Sequence, residues 1–332
     1  MPPEAPAVSD LFPAVAFAGE ALIDLIRRED GAYAPCLGGS VYNQARTLAR
    51  QGLRSHYLNP LSADAFGRAL AGQLAADGVQ AADPQPRLAP TALAVVDPGT
   101  GGGPPRYAFY REGVADRDTR AEALIAACAR LPGLALVACG GLALDPRDAR
   151  LYLPWLDAQR AAGRQVALDV NMRPQVMPDL PAYRAQALAA LARADLAKVS
   201  DEDLQHLGLP GDTPQAQAAA LFAQAPALRL LALTLGPEGA CLLDRGGLIA
   251  RWREPRALQV ADTVGAGDCF FAGLIAQALR LGLIGPAGLR LPQAEEGLAL
   301  LRHAVAAASL CVQQRGCVPP DWDATCAWRD GA

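Results

Sequence analysis

Residues 134–171 read LALVACGGLALDPRDARLYLPWLDAQRAAGRQVALDVN. An apolar run, LALVAC, gives way to helical spacing from Asp145 to Ala162, and a second apolar run, QVALDVN, follows. Neither run alternates with polar residues, as a strand with one wet face would. Continuous apolar strands are buried on both faces, the condition of a parallel sheet covered by helices. The rhythm continues through a helical stretch from Pro181 to Arg193, then LAKVS (196–200), DEDLQHLG (201–208), an Ala/Gln-rich helix and LRLLALTLG (228–236). Such alternation predicts a doubly wound α/β fold with a mostly parallel sheet and helices on both faces, one domain over 1–332.

Two regions break the rhythm. RREDGAYAPCLGG (27–39) is polar and turn-rich, and TALAVVDPGTGGGPPRYAFYREG (91–113) shows two β-like runs around a Gly/Pro loop, the pattern of a hairpin. Neither has a core of its own, so together they predict a small β lid, about 27–39 and 91–115. On pattern alone an ordinary surface hairpin is an equal reading.

The 332 residues are 52% hydrophobic and 19% charged, which excludes a disordered chain, and the net charge of −4 provides no basic field for nucleic acid or anionic lipid. An anion must be held by a local site. The eight cysteines are scattered without CxxC or zinc spacing, and the histidines at 56, 206 and 303 lie in no constellation. The opening MPPEAPAVSDLF lacks a signal peptide's basic and apolar regions and reads as a mobile tail; no apolar run is long enough to span a bilayer. The expectation is a reduced cytoplasmic protein with neither membrane nor nucleic-acid partner.

The stretch Gly265-Ala266-Gly267-Asp268 follows a β-type segment, REPRALQVADT, and opens an apolar helix from about Asp268 to Leu281. First-turn amides have no intrahelical partner and the helix dipole favours negative charge, so glycines here make an anion hole. A carboxylate beside it is either a helix cap or a proton acceptor for a hydroxyl attacking a phosphoryl group. Four residues alone do not separate the two. Cys269, next in line, reads as a small packed residue.

Further segments decide. DTVGAGDCFFAG (262–273) resembles the second signature of the ribokinase-like (PfkB) carbohydrate kinases, and GGSVYNQARTLARQG (38–52) resembles their N-terminal Gly-Gly signature. AFAGEALIDLI (16–26) is similar to their first strand. LDVNMRPQ (168–175) resembles the D-x-N-x-R segment of the fructokinase and ketodeoxygluconate kinase branch, and LAKVSDEDL (196–204) and LTLGPEGA (233–240) follow in family order.

The resemblance implies Asp268 as catalytic base, with the amides of Gly265, Ala266 and Gly267 as the anion hole. It implies a sugar held by Asp24 at the end of the first strand, by the backbone at Gly38 and Gly39, and by Asn43. Arg111 on the lid would reach a sugar oxygen or the γ-phosphate, with Tyr110 or Phe109 over the ring and Arg173 nearby. Thr234, Gly236, Gly239, Ala304 and Ala308 would meet ATP. The family's N-x-x-E segment, which helps place Mg2+, is Ser200 and Asp203 here, with Glu202 as a substitute one register away. K+ near the anion hole would have Asp262 as nearest ligand. FYREGVAD (109–116) resembles fructokinases more than ribokinases, so the implied reaction is phosphorylation of fructose at O6. Ketodeoxygluconate kinase is the rival, and a silent sugar- or nucleotide-binding regulator the alternative from another class. Pairing of two copies through the lid is expected.

Overall fold

In a computed structural model, residues 11–97 and 106–331 are described; most of the N-terminal segment expected to be a tail, and the Gly/Pro tip of the lid hairpin, lie outside them. The strands in chain order are β1 (Ala14–Phe17), β2 (Leu22–Arg27), β3 (Tyr33–Gly38), β4 (Ser55–Tyr57), β5 (Gln80–Ala81), β6 (Ala92–Asp97), β7 (Arg106–Tyr110), β8 (Leu134–Gly140), β9 (Gln165–Asp169), β10 (Leu196–Ser200), β11 (Leu230–Thr234), β12 (Ala240–Asp244) and β13 (Gly247–Trp252). The helices are α1 (Ser40–Arg50), α2 (Ala65–Ala76), α3 (Ala121–Ala129), α4 (Ala149–Ala161), α5 (Leu180–Leu191), α6 (Asp201–Leu207), α7 (Pro214–Gln224), α8 (Ala266–Arg280), α9 (Ala294–Cys311) and α10 (Trp322–Asp330). No helix among the described residues is long and apolar enough to cross a membrane.

Nine strands form one sheet in the order β13-β12-β11-β10-β9-β8-β1-β4-β5. From β11 to β5 every pair is parallel, and β12 and β13 close the other edge antiparallel. Successive side chains face opposite ways along a strand, so β1 puts Ala16 into one core and Val15 and Phe17 into another. The first core takes its helical half from Leu124, Trp155, Tyr183, Leu204 and Leu221; the second from Leu48, Leu74, Ile275 and Leu301. Sheet order reverses at β1 and β8: the chain leaves β1 toward β4 and β5, then returns to β8 and runs out through β9, β10 and β11. Such a reversal leaves a crevice at the carboxyl ends of the two strands, where open α/β sheets take ligands.

Four strands form a second sheet, β3-β2-β6-β7. The expected lid exists, with different bounds. The stretch expected to be a single first strand, 16–26, is two strands in two sheets, broken over residues 18–21. At the break a Cβ on Gly19 would lie 2.4 Å from a Val41 methyl, so the chain passes hard against α1 on its way into the lid. Asp24 therefore stands on the lid, not at the end of a main-sheet strand. The β-type segment expected before the glycine loop is irregular from 253 to 263, and β13 ends at Trp252.

Candidate active site

A cavity of about 330 Å³ opens at the crevice between the lid and the main sheet. Glu20 reaches it from beyond β1, Gly141 and Leu142 from beyond β8, Asn171 and Arg173 from beyond β9, Asp24 and Tyr107 from the lid, and Gly265, Gly267 and Asp268 from the start of α8.

Asp268 is 7% exposed and is not the cap of its helix; Gly265 is, without a side-chain bond. One carboxylate oxygen accepts from Ser40 Oγ at 2.6 Å and the other from Asn43 Nδ2 at 2.9 Å. Burial raises its pKa, while these two bonds, Lys198 and Arg173 pull it back. The side chain thus faces the cavity, held from the N-terminal signature. The anion hole needs a correction. The Ala266 amide donates to the Thr263 carbonyl at 3.3 Å and Ala266 does not line the cavity. Among the described residues the amides of Gly265, Gly267 and Asp268 have no backbone acceptor, and these three do line it. Gly265 has φ +78°, and a Cβ there would lie 2.4 Å from the Cys317 sulfur. Gly265→Ala is expected to cost about 1–3 kcal/mol, read from the urea midpoint, because strain and overlap add.

Asp24 pairs with Cys36 on β3 and leans over Gly38, two residues further on, which has no side chain: a Cβ there would sit 2.2 Å from Asp24 Oδ2. Burial pushes the Asp24 carboxyl up to about 6, against the pull of Arg173 and with help from Asp268 and Asp262. Gly39 begins α1 at φ +110°, where a Cβ would meet the Glu20 carbonyl at 2.5 Å. Asn43 leaves its Oδ1 buried without a partner. Arg173 donates to the Asn171 and Met172 carbonyls at 3.3 and 3.0 Å and makes no ion pair among the described residues. Its neighbour Asn171 has φ +38°, a conformation uncommon outside glycine, at the mouth of the site.

Several expected residues are elsewhere. Arg111, 4% exposed, lies 3.7 Å from both Asp145 and Asp148 and donates to the Leu142 carbonyl, so it neutralises buried acids beneath the lid and does not line the cavity. Tyr110 is 62% exposed and faces the lid's other side. Strand periodicity is the reason: Tyr107 and Phe109 share the cavity face of β7 and Tyr110 does not. Asp203 accepts from the Met172 and Ser200 amides at 2.7 and 2.8 Å, closing a capping box on α6. Asp262 accepts from the Val264 and Gly316 amides. Neither carboxylate lines the cavity, and each is occupied in fixing a loop. Glu202 is exposed.

Around the carboxyl end of β11, Thr234 donates to the Val199 carbonyl and the space where a Gly236 side chain would project is open. Gly239 is explained by packing, since a Cβ would meet the Trp252 carbonyl at 2.1 Å. Ala304 is fully buried against Gly273 in the α8–α9 contact, so it has no face for a ligand; Ala308 is half-buried.

Four features escaped the sequence. Ser40 adjoins the quoted glycines. Glu20 accepts from the Ser40 amide at 3.0 Å, is pushed up to about 7 by burial, and leaves Oε2 unpartnered. Tyr107 shares Phe109's strand face, a parity the sequence contained. Finally, Gln44 donates to Ser40 Oγ and to Asp169, whose other oxygen meets Lys198 at 2.9 Å. A buried polar chain thus runs from Asp268 to Lys198 across four elements.

This geometry has relatives. The sequence profile of pfkB family carbohydrate kinases matches residues 13–324. The chain is 34% identical over 269 residues to a fructokinase of Rhizobium leguminosarum bv. trifolii, a match covering 78% of this chain and 77% of that protein. Its fold is similar to that of an ATP-bound fructokinase of Xylella fastidiosa, with TM-score 0.78 and 24% identity over 96% of this chain and 98% of that one. A double-mutant Vibrio cholerae O395 fructokinase bound to fructose, ADP and potassium gives TM-score 0.77 and 22% identity, covering 98% and 99%. These likenesses establish the ribokinase-like fold with its β lid. With the profile spanning nearly the whole chain and a curated relative above 30% identity, the protein belongs to the pfkB family of carbohydrate kinases, sugar phosphotransferases with an alcohol acceptor.

Proposed function

We propose that the protein transfers the γ-phosphate of ATP to a primary hydroxyl of a small sugar, D-fructose at O6. The observation that carries this reading is Asp268, buried yet facing the cavity, beside three amides with no backbone acceptor. The fructokinase relative supports the sugar, and the ATP- and ADP-bound neighbours support the donor.

In this reading the sugar sits between lid and sheet. Asp24 accepts two of its hydroxyls, the Asn43 side-chain Oδ1 accepts another, and Tyr107 and Phe109 cover it. The acceptor hydroxyl lies against Asp268, which takes its proton as the phosphoryl moves, and the amides of Gly265, Gly267 and Asp268 bind charge developing on the phosphoryl oxygens. Ser40 and Asn43 fix the carboxylate's aim, so alignment compensates for modest basicity. Lid closure excludes water as competing acceptor. Thr234, Gly236 and Ala308 would meet the nucleotide, which supplies the transferable phosphoryl. Asp203 and Asp262 are each held by two amides outside the cavity lining and take no part in the transfer itself. The open lid edges, β3 and β7, support pairing of two copies, checked by sedimentation.

A coupled ADP-release assay with fructose, ketodeoxygluconate, ribose and adenosine tests the reading. Turnover with fructose exceeding the others is expected; no turnover with sugar binding retained would favour the silent regulator. Ketodeoxygluconate remains the second reading because Arg173 is a cation in the cavity without an ion pair.

A pH effect follows from Asp24. Its carboxyl titrates near 6 when folded and free of sugar, so lowering pH through 6 protonates it and removes acceptor capacity. KM for sugar is expected to rise below pH about 6, by up to about 10-fold per pH unit. Asp24→Asn should show a raised KM with this dependence gone; an unchanged pH profile in that variant would assign the titration elsewhere.

A further inference from the structure

Cys269 meets two thiols from far along the chain, Cys311 and Cys317, behind the glycine loop. Cys269 stands in the first turn of α8, Cys311 ends α9, and Cys317 lies on the segment that follows. The three sulfurs lie within 4.8 Å of one another, and those of Cys269 and Cys317 are 4.0 Å apart. All three are free thiols; Cys269 and Cys311 are fully buried, and Cys317, 8% exposed, is the one in reach of solvent.

Packing as small hydrophobes accounts for the burial of each, but not for three sulfurs converging from three segments. A disulfide would bring two of them to about 2.05 Å and strand the third. A metal ion would use all three. With metal–sulfur bonds of about 2.3 Å, three sulfurs in a plane around one ion stand about 4.0 Å apart. Cys269 and Cys317 already have that separation. Soft sulfur ligands select Zn2+ and Cu+ over magnesium or calcium. Zinc prefers a fourth ligand, and the Thr47 hydroxyl, 3.5 Å from the Cys269 sulfur, is an oxygen close by.

The cluster is tied to the anion hole. The Cys311 thiol donates to the Val264 carbonyl at 3.6 Å. The amides of Ala261 and Asp262 donate to the Val312 carbonyl, and that of Gly316 to the Asp262 carboxylate. Gly265 packs so closely on Cys317 that no side chain fits between them. Whatever draws the sulfurs together acts on the loop that carries Gly265.

We propose that Cys269, Cys311 and Cys317 form a three-thiolate site for one thiophilic d10 cation, Zn2+ or Cu+, and that the ion clamps the anion-hole loop. Binding forms three metal–sulfur bonds and releases the thiol protons to solvent, with no change of oxidation state. The site stands on its own geometry; only its effect on turnover rests on the kinase reading.

The test titrates the reduced, metal-free full chain with Cd2+, a spectroscopic stand-in for Zn2+, and separately with Cu+ delivered from a chromogenic chelator. At least one of the two should bind at one equivalent, giving a thiolate charge-transfer band with Cd2+ or chelator decolouration with Cu+, and should raise the unfolding temperature. Cys317→Ser should weaken binding by about 10–100-fold or more and lose the thermal shift, whereas Cys326→Ser, on α10, should keep both. Should Cys317→Ser fail to fold, alkylation of the wild-type chain mapped by mass spectrometry gives the same answer: the ion should slow labelling of Cys317, the one of the three in reach of solvent, and not that of Cys36 or Cys326. Neither ion binding at one equivalent, or equal affinity in Cys317→Ser, or protection of other cysteines, would overturn the site. Binding that leaves a measurable turnover unchanged would overturn the clamp, and absence of sugar turnover in both the metal-free and the metal-loaded chain would count against the kinase reading alone.

Discussion

Replacing Asp268 by Asn is expected to lower turnover about 10²–10⁴-fold, the span for loss of a general base, while sugar and nucleotide still bind. The surroundings can absorb the change. An amide in place of the carboxylate presents a donor toward Ser40 or Asn43. The Ser40 hydroxyl can rotate to accept, and Asn43 holds an unpartnered Oδ1 that an amide flip would bring into play. Asp268→Asn should therefore fold with stability close to the parent, and its defect should appear in kcat, not KM. Calorimetric binding of fructose and of a nonhydrolysable ATP analogue, beside steady-state kinetics, checks this. Collapse of binding with turnover per bound complex intact would show that the carboxylate holds the sugar and takes no proton.

The largest expected loss of stability is at Lys198. Its ammonium lies 2.9 Å from Asp169, and the two side chains are 6% and 0% exposed. Burial works against the lysine's charge, but the carboxylates of Asp169, Asp203 and Asp268 overcome it and its pKa ends above the ordinary value. Burial pushes Asp169 up to about 7 even with Lys198 pulling it down. Lys198→Met leaves the carboxylate buried without its cation, at a cost of about 3–5 kcal/mol, read from the urea midpoint at pH 7. The sign of the pH dependence is fixed. A carboxyl whose folded pKa exceeds its unfolded value near 4 destabilises the fold progressively as pH rises from there toward the folded pKa. The deficit of Lys198→Met should thus shrink as pH falls toward 4. Adding Asp169→Asn should recover much of it, since the double variant buries no unpaired charge. A single-variant deficit independent of pH would mean that Lys198 acts through packing alone.

Local pattern determined the architecture. Short apolar runs without alternation, set between helical stretches, read as strands buried on both faces, and the runs at 134–139, 165–169, 196–200 and 230–234 are adjacent parallel strands of the large sheet. The glycines and aspartate of 265–268 needed only the first turn of α8 to become a cavity wall, because a helix start fixes its own amides. Even there the sequence misassigned one amide, since whether the Ala266 N–H is free depends on a turn back to Thr263.

Everything that required two distant segments to meet was decided by tertiary structure. The resemblance implied a ligand role for Arg111, yet Asp145 and Asp148, far along the chain, hold it from below. Asp203 looked like a metal ligand until the Met172 amide reached it. Cysteines without CxxC or zinc spacing became one cluster because the start of α8 meets the end of α9 and the loop that follows it. Periodicity and capping act over a few residues and are written in the order of the chain. The charge a buried carboxylate meets is set by folding, which brings together groups the sequence keeps far apart.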